Sequence, residues 1–310
     1  ALTMKTIHAA NELKPVGRRV CLAIGFFDGV HLGHQQIIRQ TITDARQHEA
    51  IALVITFDRH PNAIVAPHRV PPLVYSLPQK LRAIESLGAD WLLLIRFDKA
   101  FSDQTGEAFI RALARDLPQV QSLCVGANFL FGHKRTGNVD LLKKLGAELK
   151  FVVHGLAAVS LDGKAVSSTR IREAIRLGNL DPTSQMLGRA YSVAGKVIRG
   201  DGLGQKLGFP TANLDAAALA LPPNGVYAVH AEVRGKRQRA VLNIGHRPTL
   251  LSPTPQLRVE AHLIDFVGDL YDQELEVTFV DKLRPEKKFP SLAELRNQIA
   301  RDILAAQLRF

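Results

Sequence analysis

The sequence predicts an α/β domain with a doubly wound parallel sheet, followed by a β-barrel domain with a C-terminal helix. The first half alternates apolar runs with helical periodicity, which is typical of a parallel sheet with crossover helices. The second half has alternating, β-branched segments separated by glycine and proline, which indicate a barrel. With 310 residues the chain is long enough for two cores, and we predict domains at 1–186 and 187–310.

Apolar runs and helical periodicity place the elements of the first half. The predicted strands are 20–24, 50–57, 91–95, 122–125 and 149–153. The predicted helices begin at residue 35 and span 79–87, 105–113 and 140–145, with Thr105 as an N-cap and Gly88 and Gly146 as end signals. The Pro-rich segment 63–78 is expected to be a long loop. Ligands of such sheets bind at the carboxyl ends of the strands, where we expect three polar stretches to meet: 25–34, 56–61 and 126–135.

The second half is predicted to be mostly strand. A short helix starts at Asp181-Pro182, and an amphipathic helix at 291–307 is expected to pack across the barrel. The predicted strands are 191–198, 225–233, 239–244, 258–263 and 274–280.

The charge balance is compatible with small polyanionic substrates as well as with nucleic acid, and does not decide between them. The chain has 40 Lys and Arg against 29 Asp and Glu, a formal charge of +11. These cations are scattered, and the densest cluster, 234–239, has the pattern of a hairpin turn without interleaved aromatic residues. We expect no nucleic-acid partner, although the charge alone leaves a basic nucleic-acid-binding protein open as an alternative.

Apolar patterning and cysteine usage predict a cytoplasmic protein. No apolar run approaches the length of a membrane span, so no membrane partner is expected. Cys21 and Cys124 lie in apolar runs, which is typical of reduced core cysteines. We expect a monomer or a weak homo-oligomer.

The turn at 25–34, Gly-Phe-Phe-Asp-Gly-Val-His-Leu-Gly-His, has the chemistry of a phosphate site. A Gly-rich turn between a strand and a helix points backbone N–H groups at an anion, although such turns are also common without a ligand. His31 and His34 are three apart and share one helical face, where imidazoles suit the charge that builds up during phosphate transfer. The tetrad His31-Leu32-Gly33-His34 resembles the HxGH motif of nucleotidyltransferases.

A second segment, Ser167-Ser168-Thr169, precedes Arg172 by one helical turn. Ser or Thr at this position caps a helix, and this structural role stays open. Arg172 is placed where its guanidinium could bind a phosphate bidentately. The pairing of this segment with the HxGH turn resembles the two-part phosphate clamp of nucleotidyltransferases.

The order of these segments, with Thr56-Phe57-Asp58 and 126–132 between them, resembles the FAD synthetase half of the bacterial bifunctional riboflavin kinase/FAD synthetase family. Two departures are Arg59, where the family often has proline, and Gly126-Ala127-Asn128, where acidic residues are more frequent. The resemblance implies catalytic roles for His31, His34 and Arg172. It implies ATP contacts for Gly25, Phe26, Asp28, Gly33, Asn128, Ser167, Ser168 and Thr169, and flavin contacts for Phe57 and Pro61.

A glycine-rich segment, 200–213, is the candidate site of the second half. Four glycines leave backbone N–H groups for a diphosphate, although such loops are often only turns. Thr211 and Asn213 are two apart on an extended chain and offer neutral oxygens that suit Mg²⁺ bound mainly through nucleotide phosphates. The Pro-Thr-Ala-Asn at 210–213 resembles riboflavin kinases. This implies ATP contacts for Gly200, Gly202, Gly204, Lys206 and Gly208.

Glu260 lies within an apolar strand pattern, where a carboxylate is either a paired structural charge or a general base. The resemblance implies that it is the base of the kinase, and that Arg284 with Phe289 lies on a flap near the flavin. The family implies ATP, riboflavin, FMN and FAD as substrates or products, with Mg²⁺. The alternatives left open are another HxGH adenylyl- or cytidylyltransferase and a chain with one inactive domain.

Overall fold

The structure, a computed structural model, describes residues 3–249 and 252–310. The chain forms two compact units. The first comprises Ala1–Pro71 and Leu77–Ser168, and the second comprises Pro72–Ser76 and Thr169–Phe310. The two compact units divide between Ser168 and Thr169, whereas the sequence predicts a domain boundary between residues 186 and 187. The predicted boundary stays a prediction.

The first unit is built on a parallel sheet, as the sequence predicts. Its strands are β1 Lys5–Ile7, β2 Val20–Ile24, β3 Ile51–Phe57, β4 Trp91–Ile95, β5 Val120–Gly126 and β6 Val152–Leu156. They pair in the order β1-β4-β3-β2-β5-β6, every pair parallel. A small hairpin, β7 Ser160–Leu161 with β8 Lys164–Ala165, follows the sheet. Because β2 has β3 and β5 as its neighbours, the loops after these three strands meet at one edge.

Helices cover the sheet. Alternate side chains along the strands belong to two separate apolar clusters. The helices are α1 Leu32–Gln47, α2 Asn62–Val65, α3 Leu77–Glu85, α4 Lys99–Ser102, α5 Gly106–Asp116 and α6 Val139–Leu149. Helix α7 Ser168–Arg176 crosses the division between the units. The strands β2 and β4 have the predicted bounds. The Thr105 hydroxyl caps α5 by accepting from the Ala108 N–H at 3.2 Å, which confirms the predicted start of this helix.

Three predictions in this unit are wrong. The last strand, predicted at 149–153, is Val152–Leu156, because α6 continues to Leu149. Gly146 does not end a helix but lies inside α6, which continues to Leu149 and is capped by Lys150 at φ 65°. A Cβ on Gly146 would lie 2.6 Å from the Phe151 carbonyl oxygen, so the glycine is needed for close packing rather than as a stop signal. The segment 63–78 is not an irregular loop throughout, because it contains most of α2, a 3₁₀ turn at Pro67–Arg69 and the start of α3.

The second unit contains a closed antiparallel barrel, which confirms the predicted architecture. Its strands are β9 Ser192–Ile198, β10 Ala212–Leu214, β11 Gly225–Val233, β12 Lys236–Thr249, β13 Ser252–Leu263 and β14 Glu274–Pro285. They close in the order β10-β13-β12-β11-β14-β9. The helices are α8 Leu180–Leu187, α9 Leu203–Lys206 and α10 Leu292–Gln307. The short elements β10 and α9 lie in the glycine-rich segment and were not predicted.

Alternate side chains of the barrel strands form two groups, one containing a cluster of aromatic rings and the other packing against α10. Tyr191 and Tyr227 contact Phe279 with ring centroids 5.3 Å apart. On the other face, Ala306 of α10 packs in a cluster with Val226 and other strand residues, as expected for an amphipathic helix packed on a barrel. No helix within the described ranges is long and apolar enough to cross a membrane.

Candidate functional site

The turn after β2 is strained and firmly held. Phe27, Gly29 and Val30 have φ of 55°, 77° and 42°. Left-handed backbone is costly for a β-branched residue, and it persists only where packing over-determines it. Phe27 and Val30 are both buried in the core beneath this edge. The turn therefore presents the N-terminus of α1 in one fixed backbone conformation.

The two histidines of the HxGH tetrad lie face to face. Their rings stack with centroids 3.6 Å apart and planes at 20°, which confirms that they share one face. His31 is the N-cap of α1, and its Nδ1 accepts from the His34 N–H at 3.4 Å. In the neutral ring the His31 proton is then on Nε2, which makes that atom a donor. A Cβ on Gly33 would lie 3.2 Å from the His31 ring, so the glycine allows this close stacking.

The end of β3 is tied to this turn. The Thr56 hydroxyl donates to the Phe26 carbonyl at 3.0 Å. Asp58 accepts from the Phe97 N–H at 2.9 Å and from the Arg59 guanidinium at 2.8 Å. Burial acts to raise the pKa of Asp58, but the hydrogen bonds from Arg59 and Phe97 outweigh it and the pKa falls below its usual value. Arg59, the departure from the family pattern, thus pairs with the neighbouring carboxylate.

The other residues predicted for this edge lie along it. Phe57 is 9% exposed and contacts Phe97 and Phe101 at centroid distances of 5.6 and 5.7 Å. Pro61 precedes α2, and Asn128 is exposed in the turn after β5. The sequence analysis missed the aromatic cluster around Phe57, because its members come from distant segments. The roles of these residues stay predictions.

The start of α7 reaches the same turn. The Ser168 hydroxyl donates to the Asp28 carbonyl at 3.1 Å. Ser167 comes directly before the helix, and Arg172 is half-buried one turn into it. Thr169 and Arg172 belong to the second compact unit, and the predicted clamp stays a prediction.

Lys80 is a residue of this edge that the sequence analysis missed. It lies on α3 and is only 3% exposed. Its ammonium is bonded to oxygens of the turn after β2 and of the end of β3. Burial lowers the pKa of Lys80 to about 8, and the nearby charges of Asp28 and Asp58 partly oppose that shift. No pattern in the sequence distinguishes it from the surface lysines.

The barrel carries a cavity of about 410 Å³ between the glycine-rich segment, the strands and α10. It is lined by most of the residues predicted for this domain: Gly200, Gly202, Gly204, Thr211, Asn213, Glu260 and Arg284. Lys206 and Gly208 are not part of the lining. Their predicted ATP contacts therefore have no support from the cavity.

Strand register explains how the cavity is assembled. Glu260 on β13 lies opposite Asn213 on β10 and opposite Asn243 on β12. The same row continues through Val226 on β11 to Arg284 on β14. All five residues line the cavity, one from each of five strands. Because neighbouring strands present paired residues on the same face, distant sequence positions converge beside Glu260.

The glycine loop packs closely on the two predicted metal ligands. A Cβ on Gly200 would collide with the Asn213 side-chain amide, and one on Gly204 would lie 3.1 Å from the Thr211 hydroxyl. Two neutral oxygens beside a carboxylate are a donor set that fits Mg²⁺. No group of three or more His, Cys, Asp or Glu residues within the described ranges could hold a metal by itself. The donors therefore suit a cation bound mainly through nucleotide phosphates.

Glu260 has a cationic neighbour. Arg258 lies two residues earlier on β13 and places its guanidinium 3.7 Å from Glu260 and 3.0 Å from Asp201 of the glycine loop. Arg258 was not predicted from the sequence, because one of its two partners, Asp201, comes from the distant glycine loop. The carboxylate of Glu260 is thus both a member of a charge cluster and a lining group of the cavity, so the contacts alone do not remove the structural alternative.

Arg284 is part of a strand rather than of a separate flap, and its predicted contact with the flavin stays a prediction. Arg284 lies within β14, and its Nη2 donates to Asp302 of α10 at 2.8 Å. Asp302 is 5% exposed, so this ion pair fastens the helix to the barrel. Phe289, 5.7 Å from the guanidinium, follows the strand. The long β14 extends beyond its predicted end at residue 280, which places Arg284 in the sheet.

An HxGH turn on a parallel sheet and a glycine loop beside a carboxylate on a closed barrel define a two-domain nucleotidyltransferase and kinase. A family model for FAD synthetase matches residues 14–170, and one for riboflavin kinase matches residues 187–310. The chain belongs to the family of bifunctional riboflavin kinase/FMN adenylyltransferases.

Similar proteins cover both domains. The bifunctional riboflavin kinase/FMN adenylyltransferase of Escherichia coli strain K12 is 37% identical over 309 residues, covering 99% of this chain and 98% of the relative. That of Haemophilus influenzae is 35% identical over 308 residues, covering 99% of each chain. A solved structure from Streptococcus pneumoniae, titled a macrolide-efflux protein, has a TM-score of 0.80 and 26% identity, covering 98% of this chain and 99% of its own.

Proposed function

We propose that the barrel phosphorylates riboflavin to FMN with one ATP, and that the α/β domain adenylates FMN with a second ATP to give FAD and pyrophosphate. The observation that supports one reaction in each domain is the row of paired strand residues across the barrel that includes Glu260. It places a carboxylate, Glu260, beside a glycine loop in a cavity of about 410 Å³. The His31 and His34 pair lies in the other compact unit.

In the barrel, Glu260 is the general base. It takes the proton from the 5′-hydroxyl of riboflavin as that oxygen attacks the γ-phosphorus of ATP, and ADP leaves. Backbone N–H groups of the loop around Gly200 and Gly204 offset the charge on the phosphates. Thr211 and Asn213 would hold Mg²⁺, which neutralises phosphate charge when it is bound. Arg284, which also lines this cavity, is assigned a contact with the flavin.

In the α/β domain, an FMN phosphate oxygen attacks the α-phosphorus of ATP and pyrophosphate leaves. The nucleophile is already an anion, so the protein need not supply a base. Positioning and charge stabilisation provide the rate. We assign the donor roles to His31 through its Nε2–H, to His34, to Ser168 and to Arg172.

The setting we propose is the cytoplasm, with the chain as a monomer or weak homo-oligomer. Cys21 and Cys124 are free and buried. Burial raises the pKa of both thiols, that of Cys124 to about 12, so neither is readily oxidised. Sedimentation of the purified chain at several concentrations tests the assembly state.

One assay tests the proposed function. The chain is incubated with riboflavin, ATP and Mg²⁺, and flavins are separated over time; FMN should form first and FAD should follow. With FMN supplied directly, FAD and pyrophosphate should form in equal amounts. Formation of FMN alone would mean that the α/β domain is inactive, and CTP consumption in place of ATP would favour a cytidylyltransferase. A chelator should stop the reaction, and full activity without Mg²⁺ would contradict the metal assignment.

A further inference from the structure

The side chain of Lys80 is buried in a way that lysine seldom is. It is 3% exposed, whereas lysines are almost never fully buried unless their charge is satisfied. Its Nζ is 3.1 Å from the Phe26 carbonyl, 3.2 Å from the Thr56 hydroxyl and 2.9 Å from the Phe57 carbonyl. An ammonium has three N–H donors, and here three oxygens account for them. Lys80 therefore has no proton left for a direct bond to substrate.

The three oxygens belong to two separate segments, a turn and the end of a neighbouring strand. Phe26 is part of the turn that leads into the HxGH tetrad, and Thr56 and Phe57 end the neighbouring strand β3. Thr56 also donates to the Phe26 carbonyl, so the ammonium closes a small network. The Phe26 ring lies over the same ammonium, with Nζ 4.3 Å from its centroid. One cation thus fixes both the carbonyl and the ring of Phe26 relative to β3.

We propose that Lys80 is a positioning residue for adenylyl transfer, whose buried ammonium holds the ATP-binding turn against the end of β3, where FMN binds. This inference rests on the proposed function of the α/β domain. The turn is strained at Phe27 and Val30, so it needs support from outside its own backbone. A misplacement of about 1 Å at such a site can cost about 10²-fold in rate.

The charge state of Lys80 gives the inference a second observable. Burial lowers the pKa of Lys80 to about 8, so the amine loses its third donor as the pH rises through that value. The charged and titratable groups around it are Asp28, Asp58 with its partner Arg59, and His60 at the edge of the Phe26 ring. The hydrogen bonds from Arg59 and Phe97 hold the pKa of Asp58 below its usual value and so away from pH 8.

The test compares three variants, each supplied with FMN and ATP. Lys80→Met should lower kcat for FAD formation about 10²-fold with a smaller change in the KM of ATP. Lys80→Arg, which keeps the charge and several donors, should recover at least tenfold of that loss. Lys143→Met, at an exposed position of α6, is the matched control and should behave as wild type. FMN formation from riboflavin in the same samples should change less than twofold.

Three results would overturn the inference: wild-type kcat in Lys80→Met, equal loss of both reactions, or no recovery in Lys80→Arg. If Lys80→Met does not fold, the pH profile of the wild type decides. The kcat for FAD formation should fall above about pH 8 while FMN formation does not, and parallel profiles up to pH 9.5 would refute the proposal. Unchanged FAD formation in His34→Ala would instead refute the proposed function, whatever Lys80 does.

Discussion

The two proposed phosphate sites of this chain are built differently. In the α/β domain the site is a tight turn whose residues Phe27 and Val30 are buried in left-handed backbone, followed directly by a sixteen-residue helix. In the barrel, Gly200, Gly202 and Gly204 line the cavity, and the loop that contains them has only a four-residue helix. A parallel strand leads into a crossover helix whose N-terminus attracts anions, whereas an antiparallel barrel has no such helix and relies on open glycine backbone.

The nucleophile accounts for the remaining difference. A hydroxyl must lose a proton to attack, and the barrel site contains a carboxylate at Glu260. A phosphate monoester is already anionic and needs no base, and the donors proposed for the turn after β2 are His31 and His34. The comparison therefore predicts that loss of the carboxylate and loss of a histidine will affect different reactions.

The largest expected effect is that of Glu260→Gln. The amide keeps the shape of the side chain but cannot take a proton, so FMN formation should fall about 10³-fold. FAD formation from supplied FMN is the internal control and should keep its rate. Initial rates with each flavin measure both. Equal loss of the two reactions would contradict the separation of the sites.

The converse variant is His34→Ala. Loss of one of the two stacked imidazoles should lower FAD formation about 10²-fold through weaker stabilisation of the transition state. Riboflavin phosphorylation should stay within twofold of wild type. A slower kinase in this variant, with normal thermal stability, would show that the two sites do not act independently.

The ion pair between Arg284 and Asp302 tests what holds α10 on the barrel. Asp302→Asn should lower the free energy of unfolding of the barrel by about 2 kcal/mol, because a buried charge loses its partner. The exposed pair of Asp281 and Arg309, at 3.1 Å, is the matched control, and Asp281→Asn should cost less than about 0.5 kcal/mol. Urea denaturation followed by circular dichroism measures both. Equal costs would mean that the buried pair contributes no more than a surface pair.

The smallest effect is expected for Gly200→Ala. The new methyl group would collide with the Asn213 amide and push the loop away, so the KM of ATP in the kinase reaction should rise about tenfold. FAD formation is again the control. An unchanged KM would show that the loop and Asn213 need not approach each other for ATP to bind.

Prediction from sequence succeeded where the signal is local. The bounds of β2, β4 and β11 follow from runs of apolar or alternating residues, and the cap at Thr105 from a single residue type. It failed at Gly146, where a glycine inside α6 is needed for packing against Phe151. Whether a glycine ends a helix or allows a close contact inside it depends on the residue packed against it, which the local sequence pattern does not show.

The sequence by itself determined the two-domain α/β and barrel architecture, the HxGH turn and the glycine loop, because each is a contiguous segment with its own period or motif. Only the tertiary structure decided which distant residues join them. Register across five strands sets Asn213, Asn243 and Arg284 in line with Glu260, and the packing of α3 buries Lys80 beneath the turn after β2. These contacts join elements that are far apart in the chain, so each forms only when the core of its own unit has formed.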